Sequence, residues 1–294
     1  MIFTKKRTYK QHDNEKDSFY KFSAKKLPDQ NKITESFSTD ICIIGAGLTG
    51  ISSALHLSNN GLKITILEAN KVGAGASGRN GGQLGIGMRK DQFFLEKKFG
   101  FERAKFFWNI GLEAVQTVTN LIKKHEIDCA LTQGIMHVGN TKKDYKYFVE
   151  EMNHMEKKYD YTNYEYFNSK NIKDEVASDR YHSGILSKDS YHLNPLKLTY
   201  GLAEVCLENN IKIFENSPVD KIIDKHSEVH IHTNNHIIKS KKIIVACNGY
   251  LDDLLGSTRN FFMPINNYII ATEPLGETLA KKLIKRNCGV IDSR

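Results

Sequence analysis

The stretch Ile41-Cys42-Ile43-Ile44-Gly45-Ala46-Gly47-Leu48-Thr49-Gly50 decides the fold. Its first four residues are apolar and mostly β-branched, the composition of a short buried strand. Glycines follow at a G-x-G-x-x-G spacing. Gly45 permits the tight turn out of the strand, Gly47 lets the backbone approach a pyrophosphate, and Gly50 lets the next helix pack closely on the sheet. Apolar residues at Leu48, Ile51, Ala54, Leu55 and Leu57 predict that helix, and Asn59-Asn60-Gly61 stops it. Leu62 to Leu67 predicts a second strand, and Glu68 stands at its end. This is a β-α-β unit of about 30 residues, the size of a mononucleotide-binding unit. The helix N-terminus offers free N–H groups and partial positive charge to phosphates, and a carboxylate at Glu68 can accept both ribose hydroxyls of an adenosine. An acid there disfavours a 2′-phosphate. The plain alternative for the glycines is an α/β turn that holds no phosphate.

The 294 residues suffice for one large domain or two smaller ones, and a hydrophobic fraction of 40% supports a real core. The net charge is +8, but the basic residues recur as scattered Lys-Lys pairs, not one stripe, which argues against nucleic acid as a partner. Cys42, Cys129, Cys206, Cys247 and Cys288 form no Cys-x-x-Cys pair, so neither a disulfide framework nor a structural zinc site is expected. The apolar runs are too short to span a bilayer and the first residues are charged, so the expectation is a cytoplasmic protein without a membrane partner.

Residues 1–38 read as a surface extension anchored at Phe19, Tyr20 and Phe22. Residues 69–88 are too glycine-rich for a helix or regular strand. Residues 91–125 predict helices with Phe107, Ile110, Ala114, Val118 and Leu121 facing inward. A strand over 129–139, a charged helix over 141–158, a polar tyrosine-rich surface stretch over 159–181, a strand near 184–187 and a helix over 195–208 follow. Strands are predicted at Ile211–Phe214, Val219–Ile223, Val229–His232, Ile243–Cys247 (a buried parallel strand) and Ile265–Ala271, with a last helix from about Glu277. His230 and His232 share a strand face and His236 lies near, but no thiol or acid at useful spacing completes a metal site, and no metal is expected. The aromatic cluster from Tyr159 to Phe167 reads as surface packing, with a platform for a substrate or a base as the competing reading.

The passage Val72-Gly73-Ala74-Gly75-Ala76-Ser77-Gly78-Arg79-Asn80-Gly81-Gly82-Gln83 separates flavin from nicotinamide. A small-residue segment of this length can wrap a large flat cofactor with backbone donors. Together, the glycine fingerprint, the strand-end Glu68 and this passage resemble the FAD-dependent oxidoreductases of the D-amino-acid oxidase type, and within them are most similar to the gamma-glutamylputrescine oxidase branch. Ser18-Phe19-Tyr20, His192-Leu193-Asn194-Pro195, Ala246-Cys247-Asn248-Gly249-Tyr250-Leu251 and the run from Met263-Pro264 to Pro274-Leu275 extend the likeness in order.

The resemblance implies an α/β chain: a Rossmann-like FAD-binding domain (39–88 and 190–258) with an inserted mixed-sheet α+β substrate domain (89–189 and 259–294). It implies FAD as cofactor, with Gly45, Ala46, Gly47, Leu48, Thr49 and Gly50 at the pyrophosphate and Glu68 with Ala69 at the ribose. Ser77, Arg79, Asn80, Gly81, Gly82 and Gln83 would line the path to the flavin ring. Val219 would meet adenine, and Ala246, Cys247 and Asn248 would return to the cofactor. For Val219 and Cys247 the residues by themselves suggest sheet packing. Tyr268 is a candidate substrate-lining residue and Arg79 a candidate support for charge on the reduced ring; no catalytic residue follows from the sequence. The implied reaction is oxidation of the C–N bond of a small-molecule amine, with oxygen as acceptor and an aldehyde, an amine and hydrogen peroxide as products. The final Cys288-Gly289-Val290-Ile291-Asp292-Ser293-Arg294 resembles an interior stretch of the family, which implies an incomplete substrate domain and leaves an inactive fragment as one reading. An amino-acid or sarcosine-type oxidase or dehydrogenase is a second, and an RNA-modifying flavoprotein a third.

Overall fold

A computed structural model describes residues 18–251, 254–261, 263, 265 and 267–292. The chain divides into two compact units, 1–80 with 195–269 and 81–194 with 270–294. The crossings fall at Asn80/Gly81, Asn194/Pro195 and Ile269/Ile270, where the sequence suggested 88/89, 189/190 and 258/259.

Helix α1 (Phe19–Ser23) precedes strand β1 (Phe37–Ile44), helix α2 (Leu48–Ser58) and strand β2 (Ile64–Leu67). Phe19 and Phe22 do not anchor the N-terminal segment: they are 62% and 88% exposed, and the buried residues are Leu27 and Ile33. α1 is a single turn with no buried residue, too short to carry an apolar face. Residues 1–17 of the expected extension lie outside the described residues. The chain makes a short 3-10 turn at Ala76–Gly78 and enters the second unit.

There it forms β3 (Gln83–Leu84), α3 (Gln92–Phe99), α4 (Phe101–Lys124), β4 (Thr132–Gly139), α5 (Lys142–Tyr159), β5 (Tyr164–Phe167), α6 (Ile172–Glu175) and β6 (Ser183–His192). It returns to the first unit with α7 (Pro195–Glu208), β7 (Lys212–Phe214), β8 (Val219–Asp224), β9 (Val229–Thr233) and β10 (His236–Val245). The second unit ends with α8 (Gly276–Leu283) and β11 (Gly289–Asp292).

The first unit is built on a six-stranded sheet of order β7-β2-β1-β10-β9-β8. β1 runs parallel to β2 and β10, with Ile44 opposite Leu67 and Val245, and β2 runs parallel to β7. The chain therefore leaves the central strand towards β2 on one side while β10 arrives on the other, the switch point at which open α/β sheets open a crevice. Cys42, Ile44, Leu67, Val219, Ile231, Ile238 and Ile33 form its core on one face. The 243–247 run lies parallel to β1 as expected but is only partly buried.

The second unit is a five-stranded mixed sheet of order β11-β4-β6-β3, with β5 also pairing β6. Three expectations change here. Gln83–Leu84 is a strand, because a glycine-rich segment can still pair where β6 offers His192 and Tyr191 as partners. The buried stripe of α4 is Ala104, Trp108, Gly111, Val115 and Ile122, not the Phe107 to Leu121 stripe. The reason is Gly111: a Cβ there would stand 2.6 Å from the Gly87 nitrogen, so the closest backbone approach sets the helix face. In the Tyr159–Phe167 stretch Tyr159, Tyr161 and Phe167 are core, while Asp160, Thr162 and Asn163 stay at the surface. Trp108, Met155, Tyr159 and Tyr161 are buried together, with Trp108 and Tyr161 rings edge-on at 5.0 Å. The expected strand at Ile265–Ala271 is irregular over its described residues, which have no strand partner among the described residues.

Glu175 is buried and accepts from Arg286 Nε at 2.7 Å, while Arg286 also donates to both oxygens of Glu165. This fork fastens the segment that leads into β11. No helix among the described residues is long and apolar enough to cross a membrane.

Candidate cofactor site

The turn after β1 is held from both sides. Gly45 N–H donates to Leu67 O and Ala246 N–H donates to Ile44 O, each at 2.8 Å, so the turn sits between the ends of β2 and β10. Gly45 has φ +105°, and a Cβ on it would lie 2.7 Å from Ala246 O. A Cβ on Gly50 would collide with Gly45 O, and one on Gly47 would come 2.7 Å from Ser77 Oγ. Gly45 and Gly50 are thus imposed by backbone contact, whereas Gly47 meets only the Ser77 side chain.

α2 begins at Gly47 with no acid in its first turn. Leu48 N–H donates to Ser77 Oγ at 2.9 Å. The amides of Thr49 and Gly50 have no protein acceptor among the described residues. Free amides at a helix start, approached by a glycine backbone, form an anion cradle. Ser77 therefore caps the helix from the glycine-rich loop, a role its position in the sequence did not reveal.

Glu68 faces this turn. Its Oε2 accepts Ala46 N–H at 2.8 Å and its Oε1 accepts Asn70 N–H at 2.9 Å. Burial pushes its carboxyl above the usual range, against these two backbone donors. Ala69 follows it, half-buried.

Glu215 is the residue that reading the sequence missed. It is buried, accepts Val72 N–H at 2.8 Å and pairs with Lys71 Nζ at 2.8 Å. Asn216 N–H donates to Asn70 O, and Ser217 N–H to Glu68 O. The segment after β7 thereby stitches down the loop that follows Glu68. Its signal was an acid placed directly after the strand run Ile211–Phe214, with no motif to mark it. Ser217 Oγ also accepts Ile33 N–H at 2.9 Å, which ties in the N-terminal segment.

The glycine-rich loop folds on itself. Gly73 N–H donates to Ala46 O, and Asn80 Nδ2 donates to Ala76 O and Ser77 O. Asn80 thus closes its own loop, and Arg79 is exposed beside it. Gly81, Gly82 and Gln83 belong to the second unit, where Gly82 O accepts Leu193 N–H and Gln83 pairs with His192. Val219 is buried in the sheet core. Cys247 Sγ donates to Ile44 O at 3.5 Å, and Asn248 opens a 3-10 turn with φ +48°. Ala246 and Cys247 are therefore neighbours of the Gly45 turn. Tyr268 is 87% exposed on irregular backbone.

None of the five cysteines forms a disulfide, and burial pushes Cys42 and Cys206 up to about 12. His230 Nε2 lies 2.7 Å from Glu228 Oε1, and no three potential metal ligands are grouped among the described residues. In the second unit a cavity of about 260 Å³ is lined by Gln83, Ile135, His137, Tyr164, Ser187 and Ser190, with further contacts from the loop at Ile86. Its walls are uncharged hydroxyls, an amide, an imidazole and aliphatic side chains. No local pattern announces it, because its lining, which includes Ile291, comes from five separated segments.

Two solved structures share the fold. L-Amino acid deaminase from Proteus myxofaciens matches with a TM-score of 0.64 at 18% identity, over 82% of this chain and 52% of that one. L-alpha-Glycerophosphate oxidase from Mycoplasma pneumoniae, solved with FAD bound, matches with a TM-score of 0.57 at 16% identity, over 74% and 57%. The fold is thus one found in dinucleotide-binding oxidoreductases. The chain belongs to the FAD dependent oxidoreductase family, whose pattern it matches over residues 40–293, and FAD is that family's cofactor. It is 35% identical to Gamma-glutamylputrescine oxidoreductase of Escherichia coli over 276 residues, which is 94% of this chain and 64% of that protein. The chain therefore spans just under two thirds of that relative's length.

The residues present fit FAD. The α2 cradle suits a pyrophosphate, and Glu68, at the end of β2, is in reach of the same turn.

Proposed function

We propose that the protein oxidises the C–N bond of an amine of the gamma-glutamylputrescine type to an imine, with oxygen as acceptor giving hydrogen peroxide, and that water then hydrolyses the imine to an aldehyde and an amine. We place this activity in the cytoplasm, in putrescine catabolism. The observation that carries the flavin part is the cradle at Gly45–Gly50, where backbone contact requires Gly45 and Gly50 and the amides of Thr49 and Gly50 have no protein acceptor among the described residues. The similarity to the Escherichia coli oxidoreductase supports the choice of amine.

In this reading the first unit is the FAD-binding domain and the second the substrate domain. Gly45, Ala46, Gly47, Leu48, Thr49 and Gly50 hold the pyrophosphate, and Glu68 with Ala69 holds the adenosine ribose. Ser77, Arg79, Asn80, Gly81, Gly82 and Gln83 follow the cofactor towards its ring, and Val219, Ala246, Cys247 and Asn248 flank it. Bound FAD supplies the two-electron acceptor. The protein's part is to hold the amine neutral and oriented and to exclude water. The cavity at His137, Tyr164, Ser187 and Ser190 is the substrate-binding candidate, because its lining can bind an amide and a methylene chain without a charge.

The test is anaerobic. The FAD-loaded protein is mixed in turn with gamma-glutamylputrescine, putrescine, sarcosine and L-amino acids, and the flavin absorbance near its visible maximum is followed. Bleaching by gamma-glutamylputrescine ahead of the others supports the reading. Bleaching by sarcosine or an amino acid alone replaces the substrate, and a loaded protein bleached by none of them overturns the amine-oxidase assignment.

A further inference from the structure

Helices α3 and α4 present a face that the core of the second unit does not use. Phe94, Phe99, Phe106 and Ile110 are 42%, 40%, 61% and 38% exposed. They form one patch. Lys98 Nζ stands 5.7 Å from the Phe94 ring centre and 5.4 Å from that of Phe99. The Phe99 and Phe107 rings meet edge-on at 5.7 Å, and Phe106 and Phe107 lie 6.1 Å apart. Ile110 follows Phe106 by four residues on the same helix stripe. The buried stripe of α4 through Trp108 and Gly111 points elsewhere, so these rings stay outside the core.

The patch is rimmed by positive charge. Residues 89–105 hold six Lys and Arg (Arg89, Lys90, Lys97, Lys98, Arg103, Lys105) against three acids, Asp91, Glu96 and Glu102. One of those acids is turned away: Glu96 Oε1 accepts the Tyr159 hydroxyl at 2.7 Å and lies 2.7 Å from His154 Nε2. Lys90 Nζ also stands over the Phe94 ring at 5.5 Å, and Lys105 Nζ over Phe101 at 5.8 Å. Phe94, Phe99 and Phe101 therefore each carry a long basic side chain beside the ring.

We propose that this face docks on an anionic lipid surface. Aromatic side chains at headgroup level seat their rings at the acyl boundary, while neighbouring lysines lay their stems along the rings and lift their ammonium groups to the phosphates. The helix pair lies in the plane of the interface and does not cross it. A second copy is a poorer occupant, because a two-fold contact through this face would set Lys97, Lys98 and Lys105 against the same residues of the other copy.

The test is vesicle flotation of the full chain. Vesicles of pure phosphatidylcholine are compared with vesicles in which phosphatidylglycerol replaces about a third of it, at low and high salt. The chain floats with the anionic vesicles, stays behind with the neutral ones and is released by salt. A Phe94→Ser, Phe99→Ser, Phe106→Ser triple variant and a separate Lys97→Glu, Lys98→Glu double variant each lose more than about tenfold in partitioning, since each basic residue near the surface contributes roughly a fivefold factor. Their melting temperatures stay near that of the parent, because all five side chains are exposed. As a probe that does not depend on loss, Phe106→Trp shifts its emission to the blue on anionic vesicles, while the single native Trp108 is buried and gives a constant background. Absence of flotation with anionic vesicles overturns the proposal. So does flotation that both multiple variants retain, or a dimer that the triple variant dissolves without any vesicle binding.

Discussion

The turn at Gly45–Gly50 and the aromatic cluster around Trp108 are both closely packed, but by opposite means. In the turn, backbone meets backbone: Gly50 lies against Gly45 O, and Gly45 against Ala246 O. In the cluster, large rings fill space, with Trp108, Tyr159, Tyr161 and Tyr164 meeting edge to face. The first arrangement tolerates no added atom, and the second no removed one. The first leaves the amides of Thr49 and Gly50 available for a ligand, whereas in the second the Tyr159 hydroxyl is taken by Glu96.

Substitutions can break that contrast. Trp108→Ala should have the largest effect on stability, a loss of about 3–5 kcal/mol from the cavity it leaves. The measurement is chemical denaturation, and a loss near zero would mean that the cluster is not a packed core. Gly50→Ala adds a single methyl and should cost roughly 3 kcal/mol by overpacking. It should also lower FAD affinity more than tenfold, which Trp108→Ala should not do in the fraction that stays folded. Equal loss of affinity in both variants would erase the distinction between the two regions.

Glu151 offers a smaller, pH-dependent test. Burial, with Asp91 nearby, pushes its carboxyl up to about 7. A carboxyl raised in the folded state binds its proton there while the unfolded chain has lost it. Stability should therefore fall as pH rises from the ordinary carboxylate range through about 7. Glu151→Gln should remove that fall and stabilise the protein by about 2 kcal/mol at pH 8. Melting curves across this pH range measure it, and parallel profiles for parent and variant would contradict the assignment. The smallest effect belongs to Thr141→Ala. Thr141 Oγ1 accepts Asp144 N–H at 3.3 Å while Asp144 Oδ2 accepts Thr141 N–H at 2.8 Å, a capping box on α5. Its removal should cost about 1 kcal/mol, seen as a melting-point shift of a few degrees.

The same contrast explains what could be read from the residues. A turn whose Gly45 and Gly50 are required by backbone contact is written in a few adjacent letters, so β1, α2, β2 and Glu68 were legible together. The face of α4 was not. Its sequence offers two apolar stripes, and the choice between them rests on Gly111, which carries no hydropathy signal but meets the Gly87 backbone. Glu215 escaped notice for a related reason: it acts across 143 residues on Val72, a distance no local pattern encodes. The run at Ile265–Ala271 ends in Tyr268-Ile269-Ile270-Ala271, β-rich like a strand, yet a strand exists only with a partner, which its described residues do not have.

The central claim is that the Gly45–Gly50 cradle holds FAD. The most direct measurement is the visible absorption spectrum of the purified chain after incubation with FAD and desalting, run beside Gly47→Val. The account predicts a retained flavin spectrum with shifted bands in the parent and a colourless but folded variant, because a side chain at 47 fills the space a pyrophosphate needs. A folded parent that keeps no flavin, or a variant that keeps as much as the parent, would contradict it.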